Sequence, residues 1–336
     1  MSPFASSGLV RMPSSAAPPP ESAGGEQGHP PLLVICGPTA TGKTALSLAL
    51  AARIEGAEII SADSRQVYRG MDIGTAKVSP AEQGRVPHHC IDLVDPNERF
   101  TAADFLAHAR RALKGIARRG GVALLVGGTG LYIRAVARGV PLTETGSDPA
   151  RRAELEGQLA GEGLHALVAR LRARAPQVAR RTDLGNPRRV VRALERVEVV
   201  GDELPPPPRG YPGPGVWLGL DVERDTHDGW IAARARWQFE NGLIEEARRL
   251  RERWDPQLPA FTALGYPEAF EVLDGRLSVD DAIALDVRRT RQLARRQRAW
   301  FRAEPGVEWL DASSDPLPHA MSALNRLLES PTHSSG

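Results

Sequence analysis

Cysteine is nearly missing from this chain. Its 336 residues hold two, Cys36 and Cys90, in no CxxC pair, which argues against a disulfide framework and against a cysteine-based zinc site. Long apolar runs are absent as well, so no membrane span is expected, and a reducing, cytoplasmic setting is the default expectation. An excess of one charge is lacking too. Lys and Arg number 43 against 41 Asp and Glu, a net charge of +2, so global charge says nothing about partners and only its distribution can. Residues 1–30 are poor in large apolar side chains and rich in Ser, Pro, Ala and Gly. Such a segment cannot bury enough surface to order itself and is expected to be a disordered extension. It has no apolar h-region for a secretory signal and too little Arg for a transit peptide.

What is present is a pattern of buried strands alternating with helices. The runs PLLVIC (31–36), AEIISAD (57–63), VALLV (122–126) and VWLGLDV (216–222) suit strands of a sheet covered on both faces. A helix is expected over 102–119. Thr101 and Asp104 form a capping box, Phe100 and Phe105 a hydrophobic staple, and Gly120-Gly121 a stop. Residues 148–200 read as helical and Arg-rich, and LPPPPRGYPGPG (204–215) as a stiff linker. The fold class that follows is α/β: a P-loop parallel sheet core covered by helices, with a helical insertion domain and basic C-terminal helices. The expected boundaries place the core at 31–140 and 214–312, the insertion at 141–213 and a C-terminal tail at 313–336.

Gly37, Pro38, Thr39, Ala40, Thr41, Gly42, Lys43 and Thr44 satisfy G-x-x-x-x-G-K-[ST] between a strand and a helix. Backbone N–H groups of such a loop wrap an anion, the lysine adds charge, and the Thr44 hydroxyl can hold Mg²⁺ beside phosphate oxygens. Hydrolytic P-loop enzymes want a second strand ending in Asp, yet VALLV runs into Gly-Gly-Thr. The strand that does end in Asp carries Asp63-Ser64-Arg65-Gln66. Asp63 there is either a helix N-cap or a site residue at the carboxyl end of a parallel strand.

These residues, taken with Tyr68-Arg-Gly-Met-Asp-Ile-Gly-Thr-Ala-Lys77, His88-His-Cys-Ile-Asp92 and Gly127-Gly-Thr-Gly-Leu-Tyr132, resemble the tRNA dimethylallyltransferases. Further matching pieces are Asn186-Pro-Arg-Arg-Val-Val-Arg-Ala-Leu194, Gly242-Leu-Ile-Glu-Glu246, Gly265-Tyr266 and Arg289-Thr-Arg-Gln-Leu-Ala-Arg-Arg-Gln297, and the ordered set spans about 31 to 302. The resemblance implies that the loop holds dimethylallyl diphosphate with Mg²⁺ rather than ATP. It also implies that the dimethylallyl group passes to N6 of the adenosine 3′ of the anticodon, in tRNAs reading codons that begin with U. The expected partner is therefore a tRNA anticodon stem-loop, and the enzyme is expected to be a monomer. An exocyclic amine is a poor nucleophile, so Asp63 is the candidate general base, and Ser64 and Gln66 are candidates to hydrogen-bond the base edges. Lys43 and loop amides would stabilise charge on the leaving diphosphate. The resemblance adds Thr129 and Arg234 near the diphosphate, although without it Arg234 reads as a solvated helix charge.

Basic clusters complete the expectation. Residues 286–302 hold seven arginines against Asp286. On a helix, Ile283, Val287, Ala294 and Phe301 form a buried stripe, which leaves Arg289 and Arg296 facing outward. Arg188, Arg189 and Arg192 form a second cluster in the insertion. By the resemblance these five arginines, with Asp63, Ser64, Arg65 and Gln66, contact tRNA. His88-His89 with Asp92 lacks a further ligand and is assigned no metal. Pro267 after Gly265-Tyr266 departs from the basic residue relatives carry. The competing readings are a transferase acting on free adenine nucleotides, a P-loop kinase of a small metabolite, and a non-enzymatic RNA-binding P-loop protein.

Overall fold

The computed structural model describes residues 28–142 and 148–329. The extension expected to be disordered lies outside the described residues as far as residue 27. The described residues form six strands, β1 (Leu32–Cys36), β2 (Ala57–Ala62), β3 (His88–His89), β4 (Val122–Gly127), β5 (Gly215–Asp221) and β6 (Val307–Asp311). The helices are α1 (Lys43–Ala51), α2 (Pro80–Gln83), α3 (Ala102–Arg118), α4 (Gly130–Ala137), α5 (Pro149–Arg174), α6 (Pro176–Arg181), α7 (Pro187–Val200), α8 (Arg224–Glu240), α9 (Leu243–Arg253), α10 (Tyr266–Leu273), α11 (Val279–Arg302) and α12 (Leu317–Glu329).

All strand pairings are parallel, in the order β3-β2-β4-β1-β5-β6. Every residue of β1, β2 and β4 is buried, which is why these strands read as continuous apolar runs without alternation. The register puts Cys36 beside Gly127 and Gly127 beside Ala62. The segments that follow these strands, Gly37 onward, Asp63 onward and Gly128 onward, therefore leave the sheet at one level. That level is the carboxyl edge where open α/β sheets bind ligands.

One face of the sheet packs on α1 and α12 through Leu46, Leu50, Ala320, Leu324 and Leu327. Residues 317–329, grouped with a tail in the sequence reading, thus belong to the core. Their apolar residues at 320, 323, 324 and 327 follow helical spacing and are buried. β6 extends the sheet beyond β5. The capping box of α3 is present, with Thr101 Oγ1 accepting from Asp104 N–H at 3.2 Å and Asp104 Oδ2 accepting from Thr101 N–H at 2.8 Å. Phe105 stacks on Tyr132 of α4 with centroids 4.0 Å apart, while Phe100 tilts against His108.

A second cluster joins α8 to α11 through Ile231, Phe239, Leu243, Tyr266, Phe270 and Ile283. Within it the buried Glu246 carboxylate accepts N–H bonds from Asp72, Ile73 and Gly74 at 3.1, 2.8 and 3.2 Å and the Tyr266 hydroxyl at 2.6 Å. Three of the matched motifs therefore serve one end: fixing the loop after Met71. Pro267 sits in the first turn of α10, where its missing N–H has no partner to satisfy.

The chain divides into two compact units, 1–139 with 209–336, and 140–208. The smaller has its own core of Leu155, Leu167, Leu171, Val190, Leu194 and Val197. Its α5 is broken at Gly163, where φ is 79°. Inside it, Arg192 pairs with the buried Glu195 at 2.8 Å, a carboxylate shared with Arg152, and Arg189 lies 3.4 Å from Asp183. Arg188 is exposed on the first turn of α7.

Candidate active site

Loop 37–44 leaves β1 and closes on α1. Gly37 is required by space: a Cβ there would lie 2.3 Å from the Leu220 carbonyl oxygen. Thr41 Oγ1 donates to the Pro38 carbonyl at 2.9 Å, and Lys43 Nζ donates to the same oxygen. The loop opens into a cavity of about 770 Å³, large enough for a diphosphate and an inserted base. Its walls bring together Lys43, Thr44, Asp63, Ser64, Thr129 and Arg234, which are scattered over four separate stretches of sequence.

The positions are held in detail. Arg234 Nη1 donates to Thr39 Oγ1 at 2.9 Å, which turns this helix charge into the loop and away from bulk water. Thr129 Oγ1 accepts the Ser64 N–H at 3.1 Å, tying the end of β2 to the end of β4. Asp63 Oδ1 accepts N–H bonds from Arg65 at 2.8 Å and Gln66 at 3.4 Å. Both alternatives for Asp63 thus have a share: the carboxylate caps a turn with one oxygen while the residue lines the cavity.

Two neighbours of Asp63 are more committed than their polar character suggests. The Gln66 amide accepts from Ser61 Oγ at 2.8 Å and donates to the Thr75 and Ala76 carbonyls at 3.2 and 3.3 Å. Both its donors are engaged by the protein. Arg65 donates to the Pro259 and Ala260 carbonyls at 2.9 and 3.3 Å and to Thr262 Oγ1 at 2.9 Å.

Electrostatically the cavity is a cation pair with a counter-charge. Burial and the nearby Arg234 lower the Lys43 pKa to about 8, opposed by Asp63. Burial also lowers Arg234, again opposed by Asp63 and by Asp286. Such a site gains by receiving a polyanion, which offsets the burial and mutual repulsion of the two cations.

On α11 the buried stripe of Ile283, Val287, Ala294 and Phe301 is as expected, and Arg289 is partly exposed on the cavity wall but tied to a carboxylate. Its Nη1 lies 2.5 Å from a carboxylate oxygen of the fully buried Glu268. Arg298 and Arg302 pair with Asp221, each at 2.8 Å, and Arg291 with Asp228 at 3.1 Å. Arg288, Arg295 and Arg296 remain exposed, and Arg296 lies on the cavity rim.

The sequence reading missed Gln297, Asp286 and Gln238, all of which line the cavity. Gln297 stood in a matched motif, so its position was available but its contacts were not. Asp286 was counted only as a charge, yet burial and the nearby Glu268 raise its pKa to about 6. Of the two histidines first weighed as metal ligands, His88 Nδ1 meets the Val86 carbonyl and His89 Nε2 meets Glu58, each at 2.7 Å. The described residues contain no cluster of three or more His, Cys, Asp or Glu suited to a metal ion. None of their helices is long and apolar enough to cross a membrane.

Comparison with known proteins gives this geometry its context. The family model described as IPP transferase matches residues 66–304, and that described as isopentenyl transferase matches 30–87. A tRNA dimethylallyltransferase of Kineococcus radiotolerans is 43% identical over 90% of this chain and 98% of its own length. One from Geobacter metallireducens is 46% identical over 83% of this chain and 92% of its own. The crystal structure of a tRNA isopentenylpyrophosphate transferase from Bacillus halodurans is similar with a TM-score of 0.65. It is 40% identical, covering 88% of this chain and 94% of that one.

Proposed function

Since the chain belongs to the IPP transferase family and is a tRNA dimethylallyltransferase, we propose that the cavity beyond loop 37–44 binds dimethylallyl diphosphate and receives an adenosine flipped out of the anticodon loop. The observation that carries this assignment is the convergence of Lys43, Arg234 and Asp63 on one cavity at the carboxyl edge of the sheet. The two cations suit the diphosphate, and the carboxylate suits the amine.

In the proposed step the adenine N6 lone pair attacks the allylic C1 of the dimethylallyl group. The C1–O bond breaks and its electron pair stays on the diphosphate. The proton displaced from N6 goes to the free oxygen of Asp63. Lys43, Arg234 and the loop N–H groups stabilise the charge gathering on the leaving oxygens. A divalent cation, Mg²⁺, would neutralise part of that charge, and the residues fit it. The exposed Thr44 hydroxyl would supply one ligand at the loop, and diphosphate oxygens and water would supply the others, as this ion prefers. Extruding the base costs a few kcal/mol, offset by contacts in the cavity.

The test is incubation with radiolabelled dimethylallyl diphosphate and unmodified tRNA in the presence of ATP and AMP. Label should enter tRNA alone. Label in free AMP would favour a free-nucleotide transferase, and phosphoryl transfer from ATP would favour a kinase.

Arginines of α11 are separable by their partners. Arg296→Ala should weaken tRNA binding and reduce the slope of log affinity against log salt by about 1. Arg289→Ala should instead lower stability by about 2 kcal/mol, because Glu268 is left buried without its partner, discounted for the partial exposure of Arg289. Salt titration of tRNA binding and a denaturant melt distinguish the two. An unchanged slope for Arg296→Ala would remove it from the RNA surface.

A further inference from the structure

All the polar atoms of Thr39, in the middle of the anion loop, are held from outside the loop. Its N–H donates to Gln297 Oε1 at 2.8 Å, its carbonyl accepts from His227 Nε2 at 2.8 Å, and its Oγ1 accepts from Arg234 at 2.9 Å. Gln297 Nε2 reaches on to the Gly128 carbonyl at 3.0 Å, so one amide bridges the loops after β1 and β4. The approach is close enough that a Cβ on residue 128 would lie 2.3 Å from that nitrogen. His227 is buried and meets Arg298 Nη2 through Nδ1 at 3.0 Å. An arginine can only donate, so Nδ1 accepts and Nε2 carries the proton given to Thr39. Arg298 is in turn anchored on Asp221.

The next residue shows what these bonds achieve. Ala40 has φ of 62°, a left-handed conformation that an L-residue adopts at a cost and keeps only where its surroundings impose it. A left-handed residue between right-handed or extended neighbours turns successive N–H groups to one side and makes an anion-binding concavity. We propose that Gln297 and His227 are positioning residues of the reaction, clamping both main-chain polar groups of Thr39 so that loop 37–44 stays in its diphosphate-binding form. The clamp rests on the diphosphate assignment made above.

His227 can hold Thr39 and accept from Arg298 at once only as the neutral imidazole. Protonation at Nδ1 would set an N–H against the Arg298 guanidinium. The charged groups facing the ring are Arg298 of α11, Asp221 of β5 and Asp228 of its own helix. Burial foremost, with Arg298, lowers its pKa below the ordinary value, opposed by the hydrogen bond to the Thr39 carbonyl, so at neutral pH the neutral ring bridges Arg298 to Thr39, and acidification breaks the Arg298 end of that bridge.

The test uses the full chain, inorganic diphosphate with Mg²⁺ in calorimetry, and steady-state transfer to tRNA. Gln297→Met should weaken diphosphate and raise KM for dimethylallyl diphosphate by about tenfold, while KM for tRNA stays within about twofold. Adding Ala40→Gly, which adopts positive φ freely, should recover part of that loss. His227→Gln keeps a donor but does not titrate. The ratio of wild-type to His227→Gln affinity should fall as pH drops from about 7.5 to about 5.5, since the ligand's own ionisations cancel in the ratio. A Gln297→Met KM equal to wild type, no recovery with Ala40→Gly, or a ratio that rises on acidification would each overturn the clamp. If Gln297→Met does not fold, Gln297→Asn, too short to bridge both partners, carries the same expectation. A wild-type protein that binds no diphosphate would overturn the diphosphate assignment itself.

Discussion

Asp63→Asn should lower kcat for dimethylallyl transfer by about three orders of magnitude, the middle of the range for loss of a positioned general base. The substitution is chosen for what it preserves. An Asn side-chain oxygen can still accept the N–H groups of Arg65 and Gln66 that Asp63 Oδ1 now holds, so the turn after β2 survives. What disappears is the proton acceptor, together with the negative charge that supports Lys43 and Arg234 in their charged forms. Affinity for tRNA should change little, because none of its phosphates needs a carboxylate. Single-turnover transfer with labelled dimethylallyl diphosphate measures the effect. A rate within tenfold of wild type would take the base role away from Asp63, since a residue that merely caps a turn loses little when Asn replaces Asp.

Lys43→Met should cut kcat/KM for dimethylallyl diphosphate by about two to three orders of magnitude, with most of the loss in kcat, because the leaving diphosphate carries more charge in the transition state than in the ground state. The wild-type pH dependence follows from the same residue. The free enzyme holds Lys43 at about 8 against an ordinary 10.5, through burial and then Arg234. Below about pH 8 the lysine is charged and ready for the diphosphate; above it, binding must first bring a proton in. The expected kcat/KM therefore declines above pH 8, and that limb should be missing in Lys43→Met. For stability the sign is opposite. Between pH 8 and 10.5 the unfolded chain binds more protons at this lysine than the ligand-free fold does, so its contribution to stability rises with pH across that window and diphosphate should suppress the rise. Denaturant melts at several pH values, with and without diphosphate, test this. A lysine with no effect on kcat/KM would contradict the cradle.

Much of the site was legible because its signals are local. Loop 37–44 is a contiguous pattern between a strand and a helix, and the Asp63 and Thr129 segments each end an apolar run. The capping box of α3 spans three residues and forms as written. What could not be read was commitment. Gln66 looks like a base reader until Ser61, Thr75 and Ala76 are found engaging it. Arg234 looks like a surface charge until Thr39, 195 positions away, is found beneath it.

By itself the sequence determined the strand and helix order, the anion loop, and the apolar stripe of α11, since each depends on neighbours within one or two turns. Only the tertiary structure decided which charges are available. Asp221 takes Arg298 and Arg302 across 77 and 81 positions, and Glu268 takes Arg289 across 21. The reason is physical: charges pair across whatever distance the fold closes, and spacing along the chain records only the neighbours a helix or strand makes for itself.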